Sequence, residues 1–191
     1  MKELKERILK EGICLPGDVL KVDAFINHQI DPLLTQLMGK EFCRIFADAK
    51  IDKIVTIEAS GIAMAFAAAC ELNVPLVFAR KKKSVLLQEA AYTAKIQSFT
   101  QKEEKEVTIL RKFLKQGEKV LIIDDFLADG NAALGLCDIV EQAGCKVVGI
   151  GIAIEKSFMP GADRIKAAGY RLESLARVKS LDDCKITFME D

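Results

Sequence analysis

The segment that most constrains the fold of this chain is residues 120–132, which read VLIIDDFLADGNA. The four leading apolar residues predict a buried strand, and the acids Asp124 and Asp125 follow it directly. A short loop containing Gly130 then precedes a helix that is predicted to begin at about Ala132. Because ligands of open α/β sheets bind at the carboxyl ends of the strands, the segment predicts an α/β fold and the position of its site.

Short apolar runs alternate with helices along most of the remaining sequence. This alternation is typical of a parallel sheet covered on both faces, so the 191 residues are predicted to form one α/β domain. Strands are predicted over 53–57, 75–79, 120–123 and 147–154. Helices are predicted up to about Glu11, from Asp31-Pro32 onward, and over 62–72, 132–143 and 162–168.

Residues 80–105 interrupt this alternation. They begin with four basic residues, Arg80-Lys81-Lys82-Lys83, and contain β-prone side chains but little sustained apolar content. We predict that the segment leaves the sheet as a mobile ribbon, since long inserts in compact domains are commonly lids. A solvated surface loop is the alternative.

Composition narrows the class of protein. Lys and Arg number 28, as do Asp and Glu, so no net charge attracts nucleic acid or an anionic membrane. The six cysteines form no CxxC pair, which favours reduced core thiols and disfavours a zinc site. The first residues lack a signal-peptide stretch, and the longest apolar run, residues 61–70, is too short to span a bilayer. A cytoplasmic location is therefore expected.

The 120–132 segment has the groups needed to bind a sugar phosphate. Backbone N–H groups of a glycine loop and a helix N-terminus can hold a phosphate, and two carboxylates can accept hydrogen bonds from sugar hydroxyls. This predicts a ribose 5-phosphate with its sugar at Asp124 and Asp125 and its phosphate at residues 128–132. A magnesium site of a phosphatase or kinase-like fold, or a simple pair of exposed acids, would have the same residues.

The whole pattern resembles the ribose-phosphate signature of the type I phosphoribosyltransferases. Residues 15–29, the Glu58-Ala59-Ser60-Gly61 loop and the turn at residues 154–158 resemble the purine enzymes of this family, so the likeness extends over essentially the whole chain. It implies the type I phosphoribosyltransferase fold, a doubly wound, mainly parallel sheet with a mobile lid ribbon. About residues 1–30 and the C-terminal segment would form a small hood over the base.

The resemblance also assigns roles to particular residues. Asp124 and Asp125 would hold the sugar hydroxyls of phosphoribosyl pyrophosphate (PRPP) at the catalytic centre. The 5-phosphate would lie on Ala128, Asp129, Gly130, Asn131 and Ala132. The pyrophosphate loop would be Ala59, Ser60 and Gly61, although a plain strand-to-helix turn with Ser60 as the cap has the same sequence.

The base would lie against Leu20, Asn27 and Lys156. Asn27 can donate and accept hydrogen bonds, and Lys156 offers three donors and a positive charge, which together favour xanthine over adenine. The implied reaction is purine salvage, in which xanthine and PRPP give xanthosine 5-phosphate (XMP) and pyrophosphate. Guanine, hypoxanthine or adenine as the base remain alternatives. Taken singly, Asn27 could be a turn residue and Lys156 a surface charge.

Further expectations concern the lid, the metal and the partners. Lys81 and Lys82 would meet the pyrophosphate, and Mg²⁺ would be bound mainly through that pyrophosphate, with no protein metal site. A homodimer is expected from the family. A ligand-sensing regulator on the same fold is disfavoured because the charge is balanced, and an unrelated Rossmann-like nucleotide binder leaves Asn27 and Lys156 unexplained.

One position departs from the wider family. Many relatives have hydroxyl residues in the phosphate loop, whereas this chain has Asp129 and Asn131. A carboxylate beside a phosphate dianion is unfavourable unless it points away, so we expect the backbone N–H groups to bind the phosphate.

Overall fold

A computed structural model of the chain describes residues 1–81, 90–97 and 104–190. The described helices are α1 Lys2–Glu11, α2 Pro32–Ile45, α3 Ile62–Leu72, α4 Asn131–Gln142 and α5 Gly161–Ala167. The described strands are β1 Ile13–Leu15, β2 Val19–Lys21, β3 Lys53–Ile57, β4 Leu76–Lys81, β5 Ala91–Gln97, β6 Glu104–Leu110, β7 Lys119–Leu127, β8 Lys146–Lys156, β9 Leu172–Ser180 and β10 Thr187–Phe188.

Eight of these strands form one mixed sheet in the order β10-β9-β8-β7-β3-β4-β6-β5. The five central strands, from β9 to β4, are parallel. The outer strands β10, β6 and β5 pair antiparallel. The prediction of a mainly parallel sheet is confirmed, and the three antiparallel strands are all at its edges.

Separate hydrophobic cores cover the two faces of the sheet. Strand β3 is buried along its whole length, with Ile54 in the core beneath α1, α2 and α3 and Val55 in the core beneath α4 and α5. This explains why the neighbours Ile54 and Val55 are both apolar, since their side chains point to opposite faces and both faces are covered. The predicted doubly wound arrangement is therefore confirmed.

Helix α2 begins where the sequence predicted. The Asp31 carboxylate accepts a hydrogen bond from the Leu34 N–H at 2.9 Å, and Pro32 occupies the first turn, where no N–H is needed. Arg7 of α1 binds the same carboxylate at 2.8 Å. One aspartate therefore starts α2 and joins it to the first helix.

The N-terminal segment contains short elements that the sequence did not predict. The hairpin of β1 and β2 is followed by a π-helical turn over Asp23–Asn27. The Cys14 thiol lies 3.7 Å from the Leu181 carbonyl, so this segment meets the C-terminal part of the chain. The two regions predicted to form the hood are therefore in contact, while their role in base binding stays a prediction.

The prediction that residues 80–105 leave the sheet is wrong for their described part. Strand β6 pairs with the end of β4, and β5 pairs with β6 along its whole length. Ala94 and Ile96 alternate along β5 and are buried, so packing against α4 keeps this strand on the sheet. Lys81 is the exposed last residue of β4, and Lys82 lies outside the described residues.

Candidate active site at the carboxyl edge of the sheet

The loops that follow β3, β7 and β8 meet at the carboxyl edge of the parallel strands. Because those strands are neighbours, the predicted pyrophosphate loop, the predicted phosphate loop and Lys156 lie along one edge. This is where ligands of open α/β sheets bind.

The two acids lie inside strand β7 and not at its end. The strand continues through Phe126 and Leu127, which pair with Ile154 and Glu155 of β8, so the loop is shorter than predicted. Both Asp124 and Asp125 are buried in the described structure. Pairing with the long strand β8 extends β7 past the acids, a tertiary effect that the apolar pattern could not reveal.

The carboxyl of Asp124 is unfavourable as an anion. Burial, followed by the negative charge of Asp125, raises the pKa of Asp124 well above its ordinary value, although the nearby Lys81 cation acts in the opposite direction. One Asp124 oxygen accepts the Asp125 N–H at 3.0 Å. Sugar hydroxyls or a cation at this position would stabilise the charged pair.

The predicted phosphate loop is tightly supported from behind. Gly130 has a φ of 84°, which favours glycine, and the Gly161 N–H donates to the Ala128 carbonyl at 3.0 Å. A Cβ on Gly161 would lie 2.5 Å from that carbonyl oxygen, so only glycine allows the approach. Helix α4 starts at Asn131, and the N–H groups of its first turn have no helical acceptors, which suits them to bind an anion.

Asp129 does not point away from this loop. Its carboxylate accepts the Asn131 backbone N–H at 3.0 Å and the Asn131 side-chain amide at 2.8 Å. One of the donors predicted to hold the phosphate is thus engaged by a carboxylate. Binding of the phosphate by the other backbone N–H groups of the loop stays a prediction.

The predicted pyrophosphate loop follows β3 and opens helix α3. The Glu58–Ala59 peptide bond is cis, and Gly61 is the N-cap residue of α3 without a side-chain cap. The alternative that Ser60 caps an ordinary turn is therefore wrong. A Cβ on Gly61 would lie 2.3 Å from the Thr56 hydroxyl and 2.7 Å from an Asp124 carboxylate oxygen, so this loop is in direct contact with the acids.

Two neighbours of this loop were missed at the sequence level. The buried Thr56 hydroxyl has no hydrogen-bond partner among the described residues. Glu58 accepts the Lys81 backbone N–H at 2.8 Å and lies 3.7 Å from the Arg80 guanidinium, which ties the end of β4 to the loop. Only the strand order could have placed Lys81 beside Glu58, because the two are far apart in sequence.

The predicted base and phosphate residues line one cavity of about 300 Å³. It brings together residues from the N-terminal segment, β7, the phosphate loop and β8. Those of the predicted sites are Leu20, Asn27, Ala128, Asp129, Gly130, Ala132 and Lys156. Asn131 borders a neighbouring cavity instead. Phe126 also lines the wall and was missed, although an apolar residue directly after the two acids was the available signal.

Lys156 is held at the mouth of the hood. Its ammonium donates to the Asp18 carbonyl at 2.7 Å and lies 5.8 Å from the centre of the Phe126 ring. Burial lowers the pKa of Lys156 from its ordinary value. The preceding Glu155 is buried and accepts hydrogen bonds from Ser157 and Ser174, both at 2.6 Å, which fixes this end of β8.

The carboxylates of this edge fit a magnesium ion that is held mainly by substrate oxygens. Mg²⁺ prefers oxygen ligands, and the buried Asp124 and Asp125 supply them beside the predicted pyrophosphate loop. Within the described residues, His, Cys, Asp and Glu side chains form no cluster of three or more that could enclose a metal. Any such ion would therefore need further ligands from water and pyrophosphate.

Comparison with known proteins agrees with this fold. Residues 27–180 match the phosphoribosyl transferase domain family. A xanthine phosphoribosyltransferase of Bacillus cytotoxicus is 56% identical over 190 residues, covering 100% of this chain and 96% of that protein. The enzyme of the same name from Acinetobacter baumannii is 56% identical over 191 residues and is covered completely, as is this chain.

Solved structures share the fold at low identity. Adenine phosphoribosyltransferase from Giardia lamblia, complexed with 9-deazaadenine, aligns with a TM-score of 0.78 at 19% identity over 93% of this chain and 98% of that one. The Rhodothermus marinus adenine enzyme gives 0.76 at 22% identity, over 93% and 100%. The chain belongs to the phosphoribosyltransferase family and has the type I fold of that family.

Proposed function

We propose that this protein is the enzyme that transfers the phosphoribosyl group of PRPP to xanthine, forming XMP and pyrophosphate in purine salvage. The observation that carries the proposal is the single cavity in which Asn27 and Lys156 face the phosphate loop at residues 128–132. Relatives that are 56% identical over the full chain have the name of this activity. Both lines lead to the same substrate pair.

The cavity has suitable groups for an oxo-purine. Lys156 places a cation beside the base, and Asn27 can donate to one base atom and accept from another. Leu20 and Phe126 supply apolar surface for the ring faces. Xanthine ionises readily and has oxo groups at two ring positions, so a cation and an amide suit it better than adenine, whose exocyclic amine is a donor.

In the reaction a ring nitrogen of the base attacks carbon 1 of the sugar, and pyrophosphate departs from the same carbon. Such a step passes through an oxocarbenium-like state and needs no covalent nucleophile on the protein. Asp124 and Asp125 would hold the sugar hydroxyls. The loop Ala59–Gly61 would donate backbone N–H groups to the leaving pyrophosphate. The protein contributes orientation and exclusion of water.

Two further groups would assist pyrophosphate departure. Mg²⁺, when bound through PRPP, would stabilise the negative charge that develops on the leaving group. Lys81 lies at the end of β4 and its backbone is tied to Glu58, directly before the pyrophosphate loop. We assign Lys81 and its neighbour Lys82 to the same region as lid residues.

The proposal includes location and assembly. All six cysteines are free thiols, which suits the reducing cytoplasm. No helix in the described part of the chain is long and apolar enough to cross a membrane. The exposed rings of Phe66 on α3 and Phe78 on β4 border one apolar groove, and we propose that a second copy of the chain covers it in a homodimer.

A competition assay tests the substrate assignment. Purified protein would receive PRPP, Mg²⁺ and an equimolar mixture of xanthine, guanine, hypoxanthine and adenine, and chromatography would identify the nucleotides. We expect XMP as the main product and little or no adenosine monophosphate. If another nucleotide is the main product, its base is the substrate and xanthine is not. If no nucleotide forms, the protein is not a phosphoribosyltransferase of these bases.

The variant Lys156→Gln provides an internal comparison. It keeps a donor of similar length but removes the charge, so we expect it to raise the KM for xanthine about tenfold or more while the KM for PRPP changes little. Equal KM values for xanthine in both proteins would remove Lys156 from base recognition.

A further inference from the structure

A cation outside every predicted site contacts the phosphate loop. Arg164 lies on α5, and one nitrogen of its guanidinium donates to the Asp129 carbonyl at 2.5 Å and to the Asn131 side-chain oxygen at 2.9 Å. The chain reaches this position because β8 returns beside β7 and α5 begins at Gly161, directly behind the loop. Arg164 is thus the nearest external support of both polar loop residues.

The contacts of Arg164 and of the Asp129 carboxylate require the same orientation of the Asn131 amide. Because its oxygen accepts from Arg164, its nitrogen faces the Asp129 carboxylate at 2.8 Å. The same carboxylate also accepts the Asn131 backbone N–H at 3.0 Å. Three side chains therefore form one chain of hydrogen bonds that ends on a donor of the predicted phosphate cradle.

This arrangement matters because of charge. Asp129 places a negative charge beside the place proposed for a phosphate dianion, and like charges at short distance disfavour binding. The Asn131 amide donates to that carboxylate, and the Arg164 cation, which binds the same amide and the Asp129 carbonyl, makes the loop less negative. Without the arginine, the Asp129 carbonyl and the Asn131 side-chain oxygen would each lose a charged donor, so the loop would be held less firmly and would be more negative.

We propose that Arg164 is a positioning residue for PRPP: it orients Asn131, restrains the Asp129 carboxylate and offsets its charge, so that the loop can accept the 5-phosphate. The inference rests on the proposed function, because it assumes that residues 128–132 hold that phosphate. It adds a residue from α5 and a reason why this loop tolerates an acid. Arg164 does not line the cavity that contains Asn27 and Lys156, so we expect its effect to fall on the PRPP step.

The expected signature is therefore selective. Arg164→Gln should raise the KM for PRPP about tenfold, the size expected for one lost charge-assisted contact, while the KM for xanthine and kcat stay within about twofold. Arg164→Lys keeps the charge but has a single donor group. Its KM for PRPP should therefore lie between those of the unchanged protein and of Arg164→Gln. Lys166→Gln, a matched loss of charge at an exposed position of the same helix, should behave like the unchanged protein.

A second substitution distinguishes positioning from simple support. Asp129→Asn removes the charge that Arg164 offsets, so combining it with Arg164→Gln should recover most of the lost PRPP affinity. Binding of PRPP by calorimetry and thermal unfolding would be measured for all variants alongside kinetics.

The outcomes separate the inference from the proposed function. No saturable PRPP binding by the unchanged protein would refute the proposed function itself. Normal PRPP binding by that protein together with an unaltered PRPP constant in Arg164→Gln would overturn the role of Arg164. Failure of Asp129→Asn to rescue the Arg164→Gln variant would also overturn it, since the defect would then come from general loss of support.

Discussion

Asp124 lowers the stability of the fold when its buried carboxyl is ionised. Burial and the charge of Asp125 raise its pKa in the folded protein, so the folded state holds its proton more tightly than the unfolded state does. The resulting stability is fully present below the ordinary aspartate pKa and is lost as pH rises through the higher folded value. Above that folded value the site contains a carboxylate that the fold alone disfavours.

Asp124→Asn should accordingly stabilise the protein and inactivate it. The amide keeps an oxygen for the Asp125 N–H but needs no charge in the buried position. We expect the melting temperature at pH 8 to rise by about 2–4 °C, roughly 1 kcal/mol for a domain of this size, with little gain at pH 4. Nucleotide synthesis should fall at least about a hundredfold.

Thermal melts at several pH values and initial-rate assays would check both parts. Asp138→Asn replaces an exposed acid of α4 and provides the control. It should change neither the melting temperature nor the rate of nucleotide synthesis. An Asp124→Asn variant that melts below the unchanged protein at pH 8 would contradict the account of the buried charge.

Gly61 is required by contact and not by backbone conformation. Its φ of −69° suits any residue, but a Cβ would meet the Thr56 hydroxyl and an Asp124 oxygen. Gly61→Ala should therefore cost about 1–3 kcal/mol and lower the affinity for pyrophosphate. Thr56→Ala in the same chain should restore part of the stability, since that hydroxyl has no partner among the described residues.

Denaturant unfolding of the two single variants and the double variant would measure this coupling. Additive free-energy changes would mean that the alanine side chain is accommodated without touching Thr56. Ser60→Ala is the neighbouring control and should leave the stability nearly unchanged.

The sequence predicts many of the site residues because they occur in contiguous motifs. Asp124, the loop at residues 128–132 and the turn at residues 59–61 all lie close behind short runs of strand-forming residues. Arg164 and Thr56 were not predictable in this way. Their relevance arises from contacts across the fold, and a lone arginine or threonine has no local signal.

At the scale of elements, continuous apolar runs were the reliable guide. Four of the five central strands follow from them, whereas the five helices follow from spaced apolar residues and turn signals. Strand β9 was not predicted, because its charged residues conceal it. Strands that are buried on one face only, such as β5, have polar residues at about half of their positions. For this reason β5 was predicted to leave the sheet. The bounds of β7 and β8 were too short for a related reason, since each strand extends the other.

Packing of β5 on α4 gives a prediction for this ribbon. A Cβ on Gly135 of α4 would lie 2.5 Å from the Ile96 side chain, so the glycine allows β5 to approach the helix. Gly135→Ala should move the ribbon outward and lower the free energy of unfolding by about 1–3 kcal/mol. Adding Ile96→Ala removes the clashing methyl group. The double variant should therefore lose less free energy of unfolding than the sum of the losses of the two single variants.

A double-mutant cycle by chemical denaturation would test this coupling. Gly117→Ala is not a suitable control because Gly117 has a φ of 85°. Ala132→Gly, on the same helix, also fails because that residue lines the active cavity. Leu134→Ala is the control that we choose. It measures how much free energy of unfolding is lost when a side chain next to Gly135 is shortened.

At the scale of the whole molecule, two regions that are far apart in sequence line the cavity. The predicted phosphate loop follows β7 of the parallel sheet, whereas Leu20 and Asn27 belong to the N-terminal segment. The link between them is Lys156, which ends β8 and donates to the Asp18 carbonyl. Sequence motifs predict residues of both regions, but only the folded structure shows that the two regions line the same cavity.

The surface of the molecule gives the last prediction, which concerns assembly. Phe66 is 60% exposed and Phe78 is 40% exposed, and both border an apolar groove on α3 and β4. Strand β4 continues from Phe78 to Lys81 beside the pyrophosphate loop, so a second copy on this surface would support the site from outside. We expect sedimentation to give twice the 21.1 kDa of one chain.

Phe66→Asp combined with Phe78→Asp should convert the dimer to a monomer, since burying two unpaired carboxylates in an apolar interface costs several kcal/mol. Phe113→Asp replaces a ring that is 46% exposed at a different surface and should leave the dimer intact. A protein that sediments as a single chain before any substitution would refute the homodimer. Dimers that survive the double change would instead place the contact on another face, because no stable interface tolerates two charges at its apolar centre.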